Sequence, residues 1–208
     1  MPMTEKEKML SGELYTSRNP ELQQDNLKCK KLTRLFNQTT EEESERRDKL
    51  LRELFGKVGK HIFIEPPLHC DYGCNVFIGD NFFANYDCII LDTCKVKIGN
   101  NVFFGPKVCV YAASHPIDAQ VRAEILEIGK PVTIGDNVWI GGNAVINPGV
   151  VIGNNSIIGS GSVVTKNIPE NVIAAGNPCK VLRNITDEDK KYWQEKRKKW
   201  LKDAGGTE

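Results

Sequence analysis

The sequence predicts a mainly β protein, a β-helix of six-residue repeats with helical segments before and after it. The first observation is a period. From Ile134 the pairs Ile134-Gly135, Ile140-Gly141, Ile146-Asn147, Ile152-Gly153, Ile158-Gly159 and Val164-Thr165 return every sixth residue, and Val138, Ala144, Val150, Ser156 and Ser162 stand four places after the first five. A helix repeats at 3.6 and a strand at 2, so neither generates this pattern; stacked coils of short strands and tight corners do. The second observation is that both ends of the chain lose the period and take up helix-like spacing.

Taken in order, the first sixty residues read as helical. Leu27, Leu32, Leu35 and Phe36 recur at helical intervals, and TTEEESERRDKLLRELF opens on Thr39, Thr40 and acidic residues ahead of Leu50, Leu51, Leu54 and Phe55. Each segment is expected to bury one apolar face. Gly56 and Gly59 end the helical pattern, and short β-type runs follow. Ile78-Gly79, Ala84-Asn85 and Ile90 make an early run offset by two residues from the later repeat; Ile98-Gly99, Phe104-Gly105 and Val110 are already in its phase.

Each aliphatic is expected to point into a shared interior, with the small residue four places on at a corner. Gly and Asn suit corners where positive φ is cheapest, and coils stack at about 4.8 Å. Between Val110 and Ile134 the aliphatic places hold Pro116, Arg122 and then Ile128, so Ala112 to about Pro131 reads as a loop thrown out of the prism, carrying His115. Past Val164 the prism closes through KNIPENVIAAGNPCKVLR. DEDKKYWQEKRKKWLKD reads as a basic amphipathic helix, and Gly205, Gly206 and Thr207 are expected to fray. The domain reading is therefore a helical segment at 1–60, the β-helix at 61–183 with its extruded loop at about 112–131, and a helix and tail at 184–208.

Composition narrows the partners. A hydrophobic fraction of 40% with a formal charge of +1 leaves no footprint for nucleic acid or an anionic membrane surface. MPMTEKEKML lacks the apolar run of a signal peptide and no stretch has the length of a membrane span, so cytoplasm is the expected location. Seven scattered cysteines fit reduced, packed thiols rather than a disulfide framework.

YGCNVFIGDNFFANYDCIILD, SHPID, IGDNVWIGGNAVINPGVVIG and AAGNPCKVLR, with SGELY and NPEL near the start, resemble the galactoside and maltose O-acetyltransferases of the hexapeptide-repeat family over nearly the whole chain. The resemblance implies a left-handed parallel β-helix, a triangular prism with three hexads per turn. It implies an acetyl-CoA-dependent O-acetyltransferase acting on a hydroxyl of a sugar such as maltose, glucose or a galactoside, with no metal required. It also implies a homotrimer with sites between adjacent prisms.

Residue roles follow from the same resemblance. His115 matches the general base, a role imidazole suits because it titrates near neutrality. Asn85, Asp71, Thr93 and Ser17 match acceptor positions, although relatives carry an aspartate in the segment where YTSRNPEL has Thr16, Ser17 and Asn19, a departure that would remove a charge-assisted hydrogen bond. The backbone N–H of Gly142 matches the oxyanion donor. Trp139 serves as trimer packing, a wall for the pantetheine arm, or both. Ser160, Thr165, Lys166, Lys180 and Arg183 match the coenzyme A groove, with Lys180 where relatives can have arginine. Glu127 or a backbone carbonyl is the candidate to orient His115. Two other readings are open: a non-catalytic binding or scaffold prism, and a γ-type carbonic anhydrase whose zinc would need His61, His69 and His115 together.

Overall fold

The computed structural model describes residues 2–204, so the expected fraying of Gly205, Gly206 and Thr207 lies outside the described residues. Its centre is a three-faced coil of parallel strands. The first face stacks Lys57–Val58, Val76–Ile78, Val96–Ile98, Val132–Ile134 and Val151–Ile152. The second stacks Phe63–Ile64, Phe83–Ala84, Phe103–Phe104, Trp139–Ile140, Ile157–Ile158 and Val172–Ala175, with Lys180–Asn184 added antiparallel at its end. The third stacks Leu68–Cys70, Cys88–Leu91, Cys109–Tyr111, Val145–Ile146 and Val163–Val164.

The repeat produces this shape because every sixth side chain is interior. Ile134, Ile140, Ile146, Ile152, Ile158 and Val164 are all buried, as are the corner residues Val138, Ala144, Val150, Ser156 and Ser162. Burying each aliphatic removes it from water for about 1.5–3 kcal/mol, and the parallel ladders pair the backbone from coil to coil.

The two kinds of corner residue divide the labour differently from the expectation. Asn81, Asn101, Asn137, Asn155 and Asn171, at the edge between the first and second faces, have φ of 54–58°. Their side-chain amides form a ladder with links of 2.8–2.9 Å. Gly149 and Gly161, three places after Ile146 and Ile158, take positive φ at corners as expected; the glycines that directly follow the interior aliphatics do not, and they allow close approach instead. A Cβ on Gly99 would lie 2.7 Å from the Gly135 carbonyl, and one on Gly141 would lie 2.5 Å from the Ser160 nitrogen.

Register accounts for the early two-residue offset. The partners Ile78 and Ile98 are twenty residues apart and Ile134 and Ile152 eighteen, so the lower coils hold two extra residues. The excess falls where the third face turns into the first, in the Asp71–Asn75 and Asp92–Lys95 corners. Directly above these, on the same edge, the chain leaves the prism after Ala112. Ala113–Ser114 pairs antiparallel with Ile128–Gly129, and a short helix, α4 (Ala119–Ala123), crosses the tip. All of the irregularity is stacked on one edge.

At the amino end, α1 (Glu5–Ser11) starts with a capping box between Thr4 and Glu7. α2 (Pro20–Asn37) starts with an Asn19 cap and proline in its first turn. α3 (Ser44–Leu54) begins after the Thr39–Glu43 turn, later than the threonines suggest, and Thr39 instead accepts from Arg47 Nε at 2.8 Å. Leu22, Cys29, Leu32 and Phe36 form the buried face of α2; Leu27 is 69% exposed and belongs to the opposite face. Asn37 caps the open edge of the first coil, donating to the Leu68 carbonyl and accepting from its N–H at 2.8 Å each.

α5 (Asp187–Asp203) follows a Thr186 capping box. It buries no residue, and Tyr192, Trp193 and Trp200 are exposed, so among the described residues nothing packs on the expected apolar face. Among the described residues no helix is long and apolar enough to cross a membrane. All seven cysteines are unpaired, and Cys29, Cys88, Cys94 and Cys179 are buried.

Candidate active site

The irregular edge holds a cavity of about 230 Å³ whose wall includes Ser17, Asp71, Thr93 and Glu127. Three of the four acceptor positions expected from the sequence thus meet in one place. Ser17 reaches it from the segment between α1 and α2, Asp71 and Thr93 from the two enlarged corners, and Glu127 from the returning arm of the loop. The amino-terminal segment is sewn to that arm. Tyr15 and Glu127 exchange backbone hydrogen bonds at 3.1 and 3.0 Å. The Tyr15 and Ser17 hydroxyls then donate to the two Glu127 carboxylate oxygens at 2.7 and 2.6 Å. Burial, reinforced by the neighbouring Glu127 carboxylate, pushes the Tyr15 phenol far above its ordinary value. The Thr16–Asn19 segment, which has no carboxylate of its own, is thus brought against the Glu127 carboxylate, to which Ser17 donates.

His115 is exposed and stands one residue beyond the Ala113–Ser114 pairing. Its Nδ1 is 3.4 Å from the Leu126 carbonyl oxygen. The carbonyl alternative is the one found; Glu127, bound by Tyr15 and Ser17, is not the orienting group. With Nδ1–H donating to that carbonyl, Nε2 carries the lone pair.

Below the cavity sits a residue that the repeat analysis passed over. The fully buried Asp92 carboxylate accepts from the backbone N–H groups of Asp71 at 3.1 Å, Tyr72 at 2.9 Å and Asn75 at 3.2 Å. The Asn75 amide closes the clamp on the Asp92 carbonyl at 2.7 Å. This fixes the turn that presents Asp71. The sign of its presence was the two-residue slip, since extra residues at a corner need their own hydrogen-bond acceptor.

Burial pushes Asp92 up to about 6, against the downward pull of the backbone donors. An unfolded chain releases that proton near the ordinary ~4, so between these values the folded state holds more protons and stability falls as pH rises. The stability advantage of the native chain over Asp92→Asn is accordingly expected to narrow from about pH 4 to about pH 6 and stay level above, as read by urea denaturation at a series of pH values. An advantage that widened across that window would contradict the assignment.

The other expected residues lie elsewhere. Asn85, Gly142 and Ser160 line the edge between the second and third faces, separated from the cavity within one chain by the width of the third face. Asn85 is half-buried and its side-chain oxygen accepts from the Tyr86 N–H at 2.8 Å. Among the described residues nothing accepts from the Gly142 N–H. Trp139 is 54% exposed on the second face, in line with the exposed Phe103 and Phe63 and with Phe83 between them. Thr165 and Lys166 are exposed on the cavity's edge several coils above it. Lys180 and Arg183 are in the added antiparallel strand, where Arg183 forms a bidentate pair with Asp189 at the start of α5. His61 is at a corner of the first coil, His69 faces outward from the third face, and among the described residues no three His, Cys, Asp or Glu side chains gather as metal ligands.

Comparison with known proteins matches residues 8–59 to the maltose acetyltransferase hexapeptide capping motif and residues 131–166 to the six-repeat bacterial transferase hexapeptide family. The galactoside O-acetyltransferase of Escherichia coli is 46% identical over 193 residues, covering 93% of this chain and 94% of the relative. The crystal structure of a maltose O-acetyltransferase from Clostridium difficile superposes with a TM-score of 0.88 at 58% identity, over 88% of this chain and 98% of that one. A galactoside acetyltransferase in complex with coenzyme A gives 0.88 at 44% identity, over 91% and 94%. With the capping helices, the hexad prism and relatives of this identity across almost their whole length, the chain belongs to the hexapeptide-repeat acetyltransferases of the maltose and galactoside type and is an acyltransferase.

Proposed function

We propose that this chain transfers the acetyl group of acetyl-CoA to a hydroxyl of a small acceptor, a sugar such as maltose, glucose or a galactoside, with His115 as general base. The observation that carries the reading is the tether of His115 Nδ1 to Leu126, the neighbour in the chain of Glu127, which lines a polar cavity together with Ser17, Asp71 and Thr93. That geometry suits abstraction of a proton from an attacking hydroxyl. Acetyl-CoA supplies the thioester. Gly142, with its uncommitted N–H, suits the developing negative charge. Trp139, Ser160, Thr165, Lys166 and Lys180 would hold the coenzyme, and Arg183 would exchange Asp189 for a phosphate, an easy trade for an exposed pair.

The working unit in this reading is a homotrimer. Asn85 and Gly142 occupy one edge of the prism and His115 another, so a complete site takes its two halves from adjacent copies. The exposed row of Phe63, Phe103 and Trp139 supports this, since an apolar stripe on an otherwise polar prism is a surface suited to a second copy.

The direct test supplies purified protein with acetyl-CoA and maltose, glucose or a galactoside and follows thiol release together with O-acetyl product. Equimolar thiol and ester are expected. Coenzyme A binding with no transfer to any hydroxyl would instead favour a non-catalytic prism.

A further inference from the structure

We infer that the preferred acceptor carries a positive charge: a hydroxyl compound bearing an ammonium group, of which a free amino sugar is the simplest member, seated with its ammonium between Asp71 and Glu127. This rests on the reading of the cavity as the acceptor site of an acetyltransferase and names the substrate class.

Three features of the cavity point to it. Among the described residues its wall carries two carboxylates, Asp71 and Glu127, and no lysine or arginine. Like charges sharing a small, partly buried space repel unless a cation joins them, and burial followed by the Glu127 charge pushes the Asp71 carboxyl upward, against the smaller opposing pull of Lys30 from outside the wall. The two carboxylates also differ in commitment. Both Glu127 oxygens already accept hydroxyl donors, whereas among the described residues the Asp71 side chain has no hydrogen-bond or ion-pair partner, although its backbone is clamped by Asp92.

The third feature is independent of charge. Thr93, 3% exposed, borders the same cavity, and its hydroxyl, buried beside Gly129, has no hydrogen-bond partner. A buried hydroxyl left single is unfavourable, so the wall that holds Asp71 and Glu127 is polar and incompletely satisfied on this side as well. An ammonium satisfies Asp71 and Glu127 together, while a neutral sugar leaves their repulsion in place. At about 230 Å³ the cavity is smaller than the ~300–1,000 Å³ of drug-sized sites, which suits one ring. In the reaction the acceptor hydroxyl oxygen forms the new bond to the acetyl carbon, its proton passes to His115, and the carbon–sulfur bond breaks with coenzyme A leaving as the thiol. The ammonium stays protonated and takes no part in bond formation.

The test compares glucosamine with glucose, which differ at one substituent, at about pH 6.5, where such an amine is charged. Native protein is expected to show kcat/KM at least about tenfold higher for glucosamine, and Glu127→Gln and Asp71→Asn are each expected to bring the ratio toward one. A native ratio at or below one, with acetyl transfer measured on both sugars, overturns the charge preference and leaves the transferase reading intact. If neither sugar is acetylated, binding decides. Saturation-transfer NMR on the coenzyme A-loaded native protein supports the inference if glucosamine binds more tightly than glucose and refutes it if it does not, while the missing turnover counts against the transferase reading. The native comparison stands even where a variant fails to fold.

Discussion

His115→Ala is expected to lower kcat for acetyl transfer by about 10²–10⁴-fold, the range for loss of a positioned general base. KM for acetyl-CoA should hardly move, because the imidazole touches no residue assigned to the coenzyme. Stability should hold as well: His115 is exposed, and its one polar contact is the 3.4 Å approach to the Leu126 carbonyl. That separation of effects is what distinguishes a base from a structural residue. His115→Asn keeps a polar side chain but cannot accept the proton at neutral pH, so it should resemble the alanine variant. Steady-state thiol release with both variants checks the prediction, and a loss of less than about threefold would move the base elsewhere.

Mixing two inactive variants should restore activity. Asn85 and His115 lie at opposite ends of the third face, on the order of 15 Å apart by strand length, so in the proposed trimer they serve different sites. Asn85→Ala is expected to cost about 10²-fold through misplacement of the acceptor hydroxyl, and His115→Ala at least as much. If the chains form a closed three-membered ring, each interface takes its histidine from one copy and its asparagine from the next. Refolding the two variants together in equal amounts then leaves both partners intact at one interface in four, and activity should return to about a quarter of native. A mixture no more active than its components would mean that each chain completes its own site. Sedimentation of native protein at the same concentration gives the oligomeric state directly.

Much of this architecture was legible because a prism interior repeats a local rule. An aliphatic at each sixth place has one way to be buried in a three-sided coil, and Ile134 through Val164 all are. The rule weakens where several faces compete. Leu27 has helical spacing yet faces out, since Leu22, Cys29, Leu32 and Phe36 already fill the side of α2 that meets the prism. The left-handed corner was read correctly for the asparagines and for Gly149 and Gly161, whereas the glycines that directly follow the interior aliphatics serve to clear space for the coil above.

The site was legible in part. The slip of two residues at Ile90–Ile98 was visible, and it marks the corner of Asp92 and Thr93. Its repetition at Asp71–Asn75, and the stacking of both under the extruded loop, depend on register between coils.

The sequence alone determined the repeat, the burial of its aliphatics and the family to which the chain belongs. These are properties of neighbours in the chain or of a pattern that recurs along it. Only the tertiary structure decided that Glu127 reaches Ser17 and Tyr15 across more than a hundred residues, that Leu126 rather than Glu127 orients His115, and that Asp92 clamps the turn under Asp71. Such contacts join segments that have no common period, so their geometry exists only after the coils have stacked and brought three separate departures from the repeat onto one edge.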